Sequence, residues 1–435
     1  MTLGGRVRER LMADAISTCA RGYAQAPDQH ERAATQLQLL NAEWRRLLGD
    51  TTHFAAIRAQ RGLPESFGSL EEFVASVPPT TRELVRERGR EMASVSRPPD
   101  FWRMTGGSTS EPVQIPAWNS EVERTRPETW WGRSWYNITP ASRIFLLWGH
   151  SHLLGSGLPG WLRARRRELS DRILGYHRFS TYDLRPEALQ RAARMLLRFR
   201  PDCLIGYSVA LDLFARANQA AGRELREVGL KVVVATAESF PSPESEERLR
   251  DLFACKVAME YGSVETGVIA HTEPAGGYRT FWRSHLVEAE GVGESCRIRV
   301  TSLYPRCFPL VRYELNDEVA PTEPAPRHAV GLTTFSRVKG RCNDCITLSE
   351  GALIHSEAFS HALRSCPEIH GFQVVQNGGD LCIRFLSPAD LPADRAREIR
   401  ARLTKVHPEL AATSLERVET LEQTPAGKTP MIVRR

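Results

Sequence analysis

The spacing of apolar residues changes along the chain, and it begins as a helical pattern. Leu40, Trp44 and Leu47 recur at the spacing that places side chains on one face of a helix. The run 78–83, which contains two prolines and two threonines, interrupts this pattern, and a threonine there is a suitable N-cap for a new helix. We therefore predict a helical lead-in over residues 1–80.

Short apolar runs alternate with amphipathic stretches between about residues 140 and 275. The predicted strands are 144–148, 203–206, 231–236 and 256–261, and the predicted helices are 186–199, 208–221 and 242–253. This alternation predicts a largely parallel, doubly wound sheet. In such a sheet the ligand crevice lies at the carboxyl ends of the strands.

The pattern becomes rich in strands after about residue 280. The proline-rich stretch 321–326 precedes a C-terminal segment with its own alternation of strands and helices. Its predicted strands are 345–348, 371–376 and 381–386, and its predicted helices are 356–364 and 393–406. The length of 435 residues corresponds to two or three domains, since a domain typically has about 100 to 200 residues.

The composition is typical of a soluble globular protein, with 41% hydrophobic and 25% charged residues. No run of about 18 apolar residues is present, and the N-terminus has no signal-like apolar stretch. We therefore expect no membrane partner and a cytoplasmic location. The net charge of +6 is modest, and a solvated helix face explains the basic cluster 163–167 better than a nucleic-acid site does.

The nine cysteines are odd in number and scattered, which favours reduced thiols over a disulfide framework. Cys342 and Cys345 form a single C-x-x-C motif. A zinc site would need two more ligands, and a redox motif would need a helix that starts after a strand. We therefore predict that this pair is neither a zinc site nor a redox motif.

A glycine-rich segment at residues 105–112 reads Thr-Gly-Gly-Ser-Thr-Ser-Glu-Pro. The pair Gly106 and Gly107 allows turns that a Cβ would block, and Ser108 and Thr109 add hydroxyl donors to the backbone N–H groups. Such a loop can surround phosphate oxygens. A plain turn is the alternative interpretation, because similar clusters that end in proline are common in turns.

Two further motifs follow predicted strands directly. Ala237 and Glu238 end the strand 231–236, at the edge where a ligand crevice is expected. The run Tyr-Gly-Ser-Val-Glu at 261–265 offers an aromatic ring for a base and a carboxylate, Glu265, for a magnesium ion that bridges phosphates. A simple turn is the alternative for the Tyr-Gly pair.

Three motifs occur later in the chain. Asp317 follows the run 312–316 and is an acceptor suited to the hydroxyls of a ribose. The run 340–344 reads Gly-Arg-Cys-Asn-Asp, and Gly427-Lys428-Thr429 lies near the C-terminus. The latter is not a phosphate-binding loop of the Walker type, because its spacing lacks the earlier glycine. A capping role for Asp317 and a solvated tail for Lys428 are the alternatives.

In this order and at these spacings, the motifs resemble the adenylate-forming superfamily, and most closely its phenylacetate-CoA ligase-like branch, which includes CapK-like proteins. The resemblance runs from about residue 78 to Lys428. It implies an α/β fold: a large N-terminal domain, 1–338, with doubly wound mixed sheets and a β-rich subdomain, and a small mobile α+β domain, 339–435.

The resemblance implies an AMP-forming ligase that uses ATP and Mg²⁺. A carboxylic acid, for which an aromatic one is expected, would attack the α-phosphate of ATP to give an acyl-adenylate and pyrophosphate. Coenzyme A would then displace AMP. The alternatives are an amine acceptor, an unusual acid such as nitrite, and a non-catalytic nucleotide-binding relative. The sequence does not determine the oligomeric state, and the candidate assembly is a homodimer.

The resemblance also assigns roles to individual residues. The nucleotide would contact Thr105, Gly106, Gly107, Ser108, Thr109, Ala237, Glu238, Tyr261, Gly262, Ser263, Asp317 and Arg341. The catalytic set would be Lys428, Thr109, Glu265 and Arg341, with Glu265 on magnesium and Lys428 between the acid and the α-phosphate. The hinge would be Asn343 and Asp344, and the acid pocket would contain Trp148, His150, Tyr207 and Phe240.

Two residues depart from the family pattern in the glycine-rich segment. Ser110 stands where the family usually has glycine, and Glu111 stands where it often has lysine. A Cβ restricts the backbone at the first position, and a carboxylate repels phosphate at the second. Both changes bear on how efficiently the loop binds a triphosphate.

Overall fold

The computed structural model describes residues 2–26, 28–104, 114–148, 157–181, 185–237, 240, 244–292, 295–322, 328–338, 345–349, 352–363, 366, 368–369, 371–422 and 431–435.

The N-terminal part is helical, as predicted. Its helices are α1 (Leu3–Ala24), α2 (Gln29–Asp50), α3 (Thr52–Arg61), α4 (Leu70–Ser76) and α5 (Arg82–Met92). The hydroxyl of Thr81 accepts a hydrogen bond from Leu84 N at 3.2 Å and caps α5. The threonine cap predicted after the two prolines is therefore confirmed. Leu40, Trp44 and Leu47 lie in one buried cluster.

A short antiparallel hairpin brackets the glycine-rich segment. Its strands are β1 (Phe101–Met104) and β2 (Gln114–Ala117), and helix α6 (Asn119–Ser134) follows directly. The segment 105–113 between the two strands lies outside the described residues. The register pairs Met104 with Gln114, so both ends of the segment leave the hairpin side by side.

The middle of the chain forms the parallel half of a large sheet. Its strands are β3 (Ile144–Leu147), β4 (Tyr176–Phe179), β5 (Cys203–Tyr207), β6 (Val232–Thr236) and β7 (Lys256–Ser263), in the order β4-β3-β5-β6-β7. Its helices are α7 (Gly157–Leu174), α8 (Pro186–Phe199), α9 (Ser208–Ala217), α10 (Gly222–Arg226) and α11 (Ser245–Phe253). Every residue of β3 and β5 is buried, as expected for strands covered on both faces.

The strand-rich region continues the same sheet with antiparallel neighbours. Its strands are β8 (Gly267–Thr272), β9 (Tyr278–Thr280), β10 (His285–Val292), β11 (Ser295–Ser302), β12 (Tyr313–Pro321), β13 (His328–Val330) and β14 (Thr334–Val338). From β7 the order runs β8-β9-β14-β12-β11-β10-β13, so twelve described strands form one mixed sheet. The change from parallel to antiparallel pairing falls at the turn between β7 and β8.

The C-terminal segment has a small sheet and a hydrophobic core of its own. Its elements are β15 (Cys345–Thr347), β16 (Leu353–His355), α12 (Ser356–Leu363), β17 (Gly371–Asn377), β18 (Asp380–Leu386), α13 (Ala393–Val406), β19 (Ser414–Arg417) and β20 (Ile432–Arg434). Strands β19-β18-β17-β20 form a four-stranded sheet, and the buried cluster beside it contains only residues from Ile346 onwards. The predicted α/β fold, with a large mixed sheet and a smaller second sheet, is confirmed.

The described residues also give information on the helix lengths, the cysteines and the basic cluster. None of the helices there combines the length and apolar character needed to cross a bilayer. The cysteines whose side chains are described are free thiols, and of these Cys203, Cys296, Cys307 and Cys366 are buried. Arg165 and Arg166 of the basic cluster are exposed on α7, as predicted for a solvated helix face.

Candidate active site

The backbone leaves strand β6 in a strained conformation. Ala237, the first residue after the strand, has a φ of +73°. The left-handed region is uncommon for a residue with a Cβ, and such strain is concentrated at functional sites. Ala237 therefore marks the carboxyl end of β6 as a site where the local geometry is imposed by the rest of the fold. Glu238, which follows it, lies outside the described residues.

The turn between β7 and β8 leaves no room for a side chain at its first glycine. A Cβ added to Gly262 would lie 2.0 Å from the carbonyl oxygen of Gly267, and Gly267 itself has a φ of +72°. Ser263 N donates to the hydroxyl of Thr266 at 3.0 Å, and Thr266 N donates to the hydroxyl of Ser263 at 3.2 Å. This turn requires glycine at its base and fixes the position of Glu265.

Glu265 is a buried carboxylate between a cation and a phenol. Its Oε1 lies 3.3 Å from Arg82 Nη2 and accepts a hydrogen bond from the Tyr313 hydroxyl at 3.2 Å. Burial lowers the pKa of Arg82, but the charge of Glu265 and the contact with Tyr313 outweigh burial and leave that pKa raised. Burial and the charge of Glu265 both raise the pKa of Tyr313. The carboxylate of Glu265 is therefore in direct contact with both groups in the interior of the protein.

The residues around Glu265 fit a magnesium ion that also contacts phosphates. Among the described residues both hydrogen-bonding contacts of the carboxylate use Oε1, which leaves Oε2 for a cation. The described residues contain no cluster of three or more candidate metal ligands. Magnesium in nucleotide sites typically uses one or two carboxylates together with substrate phosphates and water, so a single carboxylate is sufficient here.

Asp317 and Tyr261 are direct partners. The Tyr261 hydroxyl donates to Asp317 Oδ2 at 2.9 Å. The ring of Tyr261 packs edge-on against Tyr278 and Phe335, with centroids 6.5 and 5.9 Å away. Two residues that the sequence analysis assigned to one nucleotide are thus brought together from β7 and β12. The structure adds a role for the phenol, which orients the carboxylate.

A buried charge network connects this turn with the root of the glycine-rich segment, by which we mean strand β1, the strand that leads into it. Glu121, in the first turn of α6, accepts from Trp118 N and Cys307 N at 2.9 Å through Oε1, while its Oε2 lies 3.1 Å from Arg103 Nη2 and 3.5 Å from Arg306 Nε. Arg306 is fully buried and donates to the carbonyl oxygen of Glu265. The network therefore joins β1, α6 and the Glu265 turn.

Several residues of this site have no role among the predictions from the sequence. The missed residues are Arg82, Arg103, Glu121, Arg306 and Tyr313. Arg82 lies in the run 78–83, where the only signal was that of a helix start. Arg312, just before Tyr313, is structural: it pairs with Glu288 at 2.9 Å and donates to the Val74 carbonyl oxygen at 2.6 Å.

The described aromatic residues predicted for the acid pocket, Trp148, Tyr207 and Phe240, lie in or against one hydrophobic cluster. Trp148 and Tyr207 pack against each other with ring centroids 4.6 Å apart. Phe240 lines a cavity of about 820 Å³ together with Met259, Tyr278 and Val338. That cavity lies beside the nucleotide candidates, because Tyr278 contacts Tyr261.

A second cavity, of about 1500 Å³, opens at the Glu265 turn. Ser263, Val264, Thr266 and Gly267 form one wall, and the other walls come from α1, α6, β1 and the end of α7. Trp148, Tyr207 and Phe240 are not among its described lining residues. The turn is thus the boundary between this cavity and the Tyr261–Asp317 pair.

The remaining predicted site residues lie outside the described part of the chain. They are Thr105, Gly106, Gly107, Ser108, Thr109, His150, Glu238, Arg341, Asn343, Asp344 and Lys428, and with them the unusual Ser110 and Glu111. Cys342 of the C-x-x-C motif also lies there. Their roles stay predictions.

Comparison with known proteins gives matches in structure and not in sequence. No protein-family model matches the chain, and a search of curated proteins finds no match. An open conformation of 2-hydroxyisobutyryl-CoA ligase in complex with 2-HIB-AMP and CoA matches with a TM-score of 0.58 and 17% identity, over 94% of this chain and 92% of that chain. The same ligase in its thioesterification state matches with a TM-score of 0.58 and 16% identity, over 94% and 91%.

The chain has the adenylate-forming enzyme fold. The resemblance inferred from the ordered motifs is confirmed at the level of the fold, while the phenylacetate-CoA ligase-like branch stays a prediction. Since the match covers nearly the full length of both chains, the adenylate-forming fold accounts for the large mixed sheet and the small C-terminal sheet together.

Proposed function

We propose that this protein is an AMP-forming ligase, which activates a carboxylic acid with ATP and transfers the acyl group to coenzyme A. The observation that carries the proposal is the convergence, within an adenylate-forming fold, of the Arg82–Glu265 and Tyr261–Asp317 pairs on the turn after β7. The solved ligase of this fold was captured with an acyl-AMP and CoA, which supports the two half-reactions proposed for this chain.

The first half-reaction brings two anions together, so it depends on positioning and on neutralising charge. In our proposal Glu265 would hold a magnesium ion, and Arg82 orients the carboxylate through the 3.3 Å contact. A bound magnesium ion would offset the negative charge on the phosphates. Arg103, Glu121 and Arg306 are positioning residues, because they fix the root of the glycine-rich segment relative to Glu265.

The nucleoside part of ATP is assigned to the other side of the turn. Asp317 would accept the ribose hydroxyls, and Tyr261 would orient it through the 2.9 Å hydrogen bond. The adenine and the phosphates would contact Ala237, Glu238, Gly262 and Ser263. This assignment is supported by the strained backbone at Ala237 and by the requirement for glycine at Gly262.

The residues outside the described ranges complete the proposal. Residues 105–109 would bind the phosphates, Arg341 would contact the ribose or a phosphate, and Lys428 would bridge the acid and the α-phosphate as a point charge. Asn343 and Asp344 would be the hinge of a small domain, 339–435. The separate core from Ile346 onwards supports this domain division.

The alternative reactions for this protein differ in the acid that is activated and in the acceptor of the acyl group. An aromatic acid and CoA are the default, and an amine acceptor or an acid such as nitrite would use the same first step. A non-catalytic nucleotide-binding protein is the alternative of a different class, and Ser110 and Glu111 are the residues that favour it. A cytoplasmic location and a homodimer stay predictions.

An experiment with two stages separates these alternatives. Aromatic, aliphatic, amino and inorganic acids are first supplied with ATP, Mg²⁺ and labelled pyrophosphate, and the acids that support exchange are then offered CoA or amines. We expect exchange with at least one carboxylic acid and thioester formation with CoA. Exchange without a thioester would favour another acceptor, and absence of exchange with every acid would favour the binding-protein alternative.

A further inference from the structure

The exposed large apolar side chains of this protein are concentrated at one place. Those that line the 1500 Å³ cavity are Leu3, Val7, Leu11, Ile173 and Val264, and all five are exposed. Leu162 and Leu169 are exposed on the same helix as Ile173. Trp102 and Val95 are also exposed but are not among the described lining residues. A group of exposed apolar side chains around one cavity indicates a binding site.

The cavity is much larger than a single aromatic ring requires. Its volume of about 1500 Å³ exceeds the range of roughly 300–1,000 Å³ that is usual for sites that bind drug-sized ligands. Met12, Trp130, Leu174 and Val268 form its interior. The three exposed residues of α1 continue this surface outward over ~12 Å, at 1.5 Å per helical residue. The site therefore suits an extended apolar ligand.

The charged residues of the cavity are all cationic. Its described lining contains four arginines and no carboxylate: Arg8, Arg103, Arg126 and Arg133. Arg133 is paired with Glu260 at 2.6 Å, and Arg103 is paired with Glu121 at 3.1 Å. Arg8 donates to the carbonyl oxygens of Pro140 and Leu174, and Arg126 is exposed on α6. Among the described residues Arg8 and Arg126 are therefore the lining cations without an ion pair, which favours an anionic ligand over a cationic one.

The cavity runs from an inner end at the Glu265 turn to an exposed rim on α1. Arg103 and Ser263 lie where the cavity reaches the Glu265 turn and the root of the glycine-rich segment. Leu3, Val7 and Leu11 lie at the exposed rim on α1. A carboxylate at the inner end would face the proposed phosphate site, while its apolar body extended toward the rim.

We propose that the acid substrate of this protein is an amphiphilic carboxylic acid with an extended apolar body, such as an alkyl chain, bound in the cavity between α1, α6 and the Glu265 turn. This proposal rests on the proposed function for the identity of the reacting group. It differs from the expectation of a small aromatic acid in the size of the apolar body.

A chain-length series tests the proposal. Binding of acetate, octanoate, dodecanoate and benzoate is measured by calorimetry, and pyrophosphate exchange is then measured with the same acids. Affinity should rise by up to about fourfold for each methylene that the cavity buries, from octanoate to dodecanoate. Benzoate that binds as tightly as dodecanoate, or affinity that does not change with chain length, would overturn the proposal.

Two matched variants locate the binding site. Val7→Glu places a carboxylate at the rim of the cavity, and Val95→Glu places one on an exposed apolar residue outside it. We expect Val7→Glu to weaken dodecanoate at least tenfold with unchanged binding of acetate, and Val95→Glu to change neither. Equal effects of the two variants would contradict the assigned site. Tight binding of dodecanoate without exchange would leave this site standing and reject adenylation, so the two failures are distinguishable.

Discussion

The chemistry proposed here depends on a few buried side chains whose charges are balanced in pairs. Glu265 is 2% exposed and shares one oxygen between Arg82 and Tyr313. Burying a carboxylate without a cation is expensive, so the contact with Arg82 offsets the cost of burying Glu265. The proposed magnesium ligand and its arginine partner are therefore one functional unit.

Removing the charge of Arg82 should expose this dependence. Arg82→Gln is expected to lower the free energy of unfolding by about 3 kcal/mol, the lower end of the cost of breaking a buried ion pair. It should also raise the magnesium concentration needed for exchange, because Glu265 would lose the contact with Arg82 that orients its carboxylate. Denaturant unfolding and magnesium titration of exchange provide the two measurements. Arg90→Gln, an exposed position of the same helix, is the control, and an equal effect there would reject the assigned role.

At the scale of elements, the turn after β7 connects the two halves of the sheet and the two sides of the site. It carries Glu265, ends the strand of Tyr261 and forms a wall of the large cavity. The backbone of Gly262 lies so close to that of Gly267 that the turn can form only if residue 262 has no side chain. The shape of the turn therefore determines several site distances at once.

Gly262→Ala tests the turn directly. Its Cβ would meet the Gly267 carbonyl oxygen at 2.0 Å, so the backbone must move. We expect a loss of at least about 2 kcal/mol in the free energy of unfolding, as for other strained substitutions, and the loss of most exchange activity. Gly49→Ala is the control, because a Cβ there meets nothing within 4 Å and the change should stabilise α2 by roughly 0.5–1 kcal/mol. Unchanged stability of Gly262→Ala would contradict the geometry.

The elements themselves were predictable to a large extent, because local periodicity determines them. Helices 186–199 and 393–406 were predicted to the residue, and the parallel strands β3, β5, β6 and β7 lie where the apolar runs placed them. The pairing of β8 to β14 with the parallel half could not be predicted, since it depends on contacts between segments distant in sequence. The same holds for the Glu121–Arg306 contact, which spans 185 positions and has no local pattern.

Tyr261 and Glu265 were predicted from a motif that follows a strand, and they lie at the end of β7 and in the turn after it. Asp317 lies inside β12 and meets Tyr261 through a hydrogen bond that the sequence did not predict. Their partners Arg82 and Tyr313 were missed, because neither the helix start at α5 nor the strand start at β12 carries a signal for the site. Partners that are distant in sequence can be identified only from the three-dimensional structure.

At the scale of the whole molecule, stability should depend on pH through buried histidines. Burial, with the nearby charge of Arg306, lowers the pKa of His285 to about 3. Burial also lowers the pKa of His271. A histidine in the unfolded chain has a pKa near 6.5, so between pH 6.5 and 3 the unfolded state binds protons that the folded state does not. Stability should therefore fall as the pH is lowered through this window.

The contribution of His285 can be measured by difference. Between pH 6 and 4 the free energy of unfolding of the wild type should fall by about 1.4 kcal/mol per pH unit more than that of His285→Leu, the value for one proton. Chemical unfolding at several pH values provides the measurement. His30→Leu changes an exposed histidine of α2 and should leave the slope unchanged. Equal slopes for His285→Leu and the wild type would refute the assignment.

The proposed mobile domain makes a prediction about the two half-reactions. Lys428→Ala should reduce adenylation by about 10²–10³, as when a charge-stabilising group is removed. Transfer to CoA from supplied acyl-adenylate should be much less affected, because that step does not use the lysine in our proposal. Single-turnover assays of each step provide the comparison, and equal losses in both would reject the role of Lys428.

The central claim is that this fold activates a carboxylic acid as an acyl-adenylate, and acid-dependent exchange of labelled pyrophosphate into ATP tests it most directly. The account predicts exchange that requires both acid and Mg²⁺ in the wild type. It also predicts that Asp317→Asn raises the KM for ATP, since the 2.9 Å pair with Tyr261 orients the proposed ribose ligand. Absence of exchange with every acid tested, in a folded protein that still binds ATP, would contradict the account.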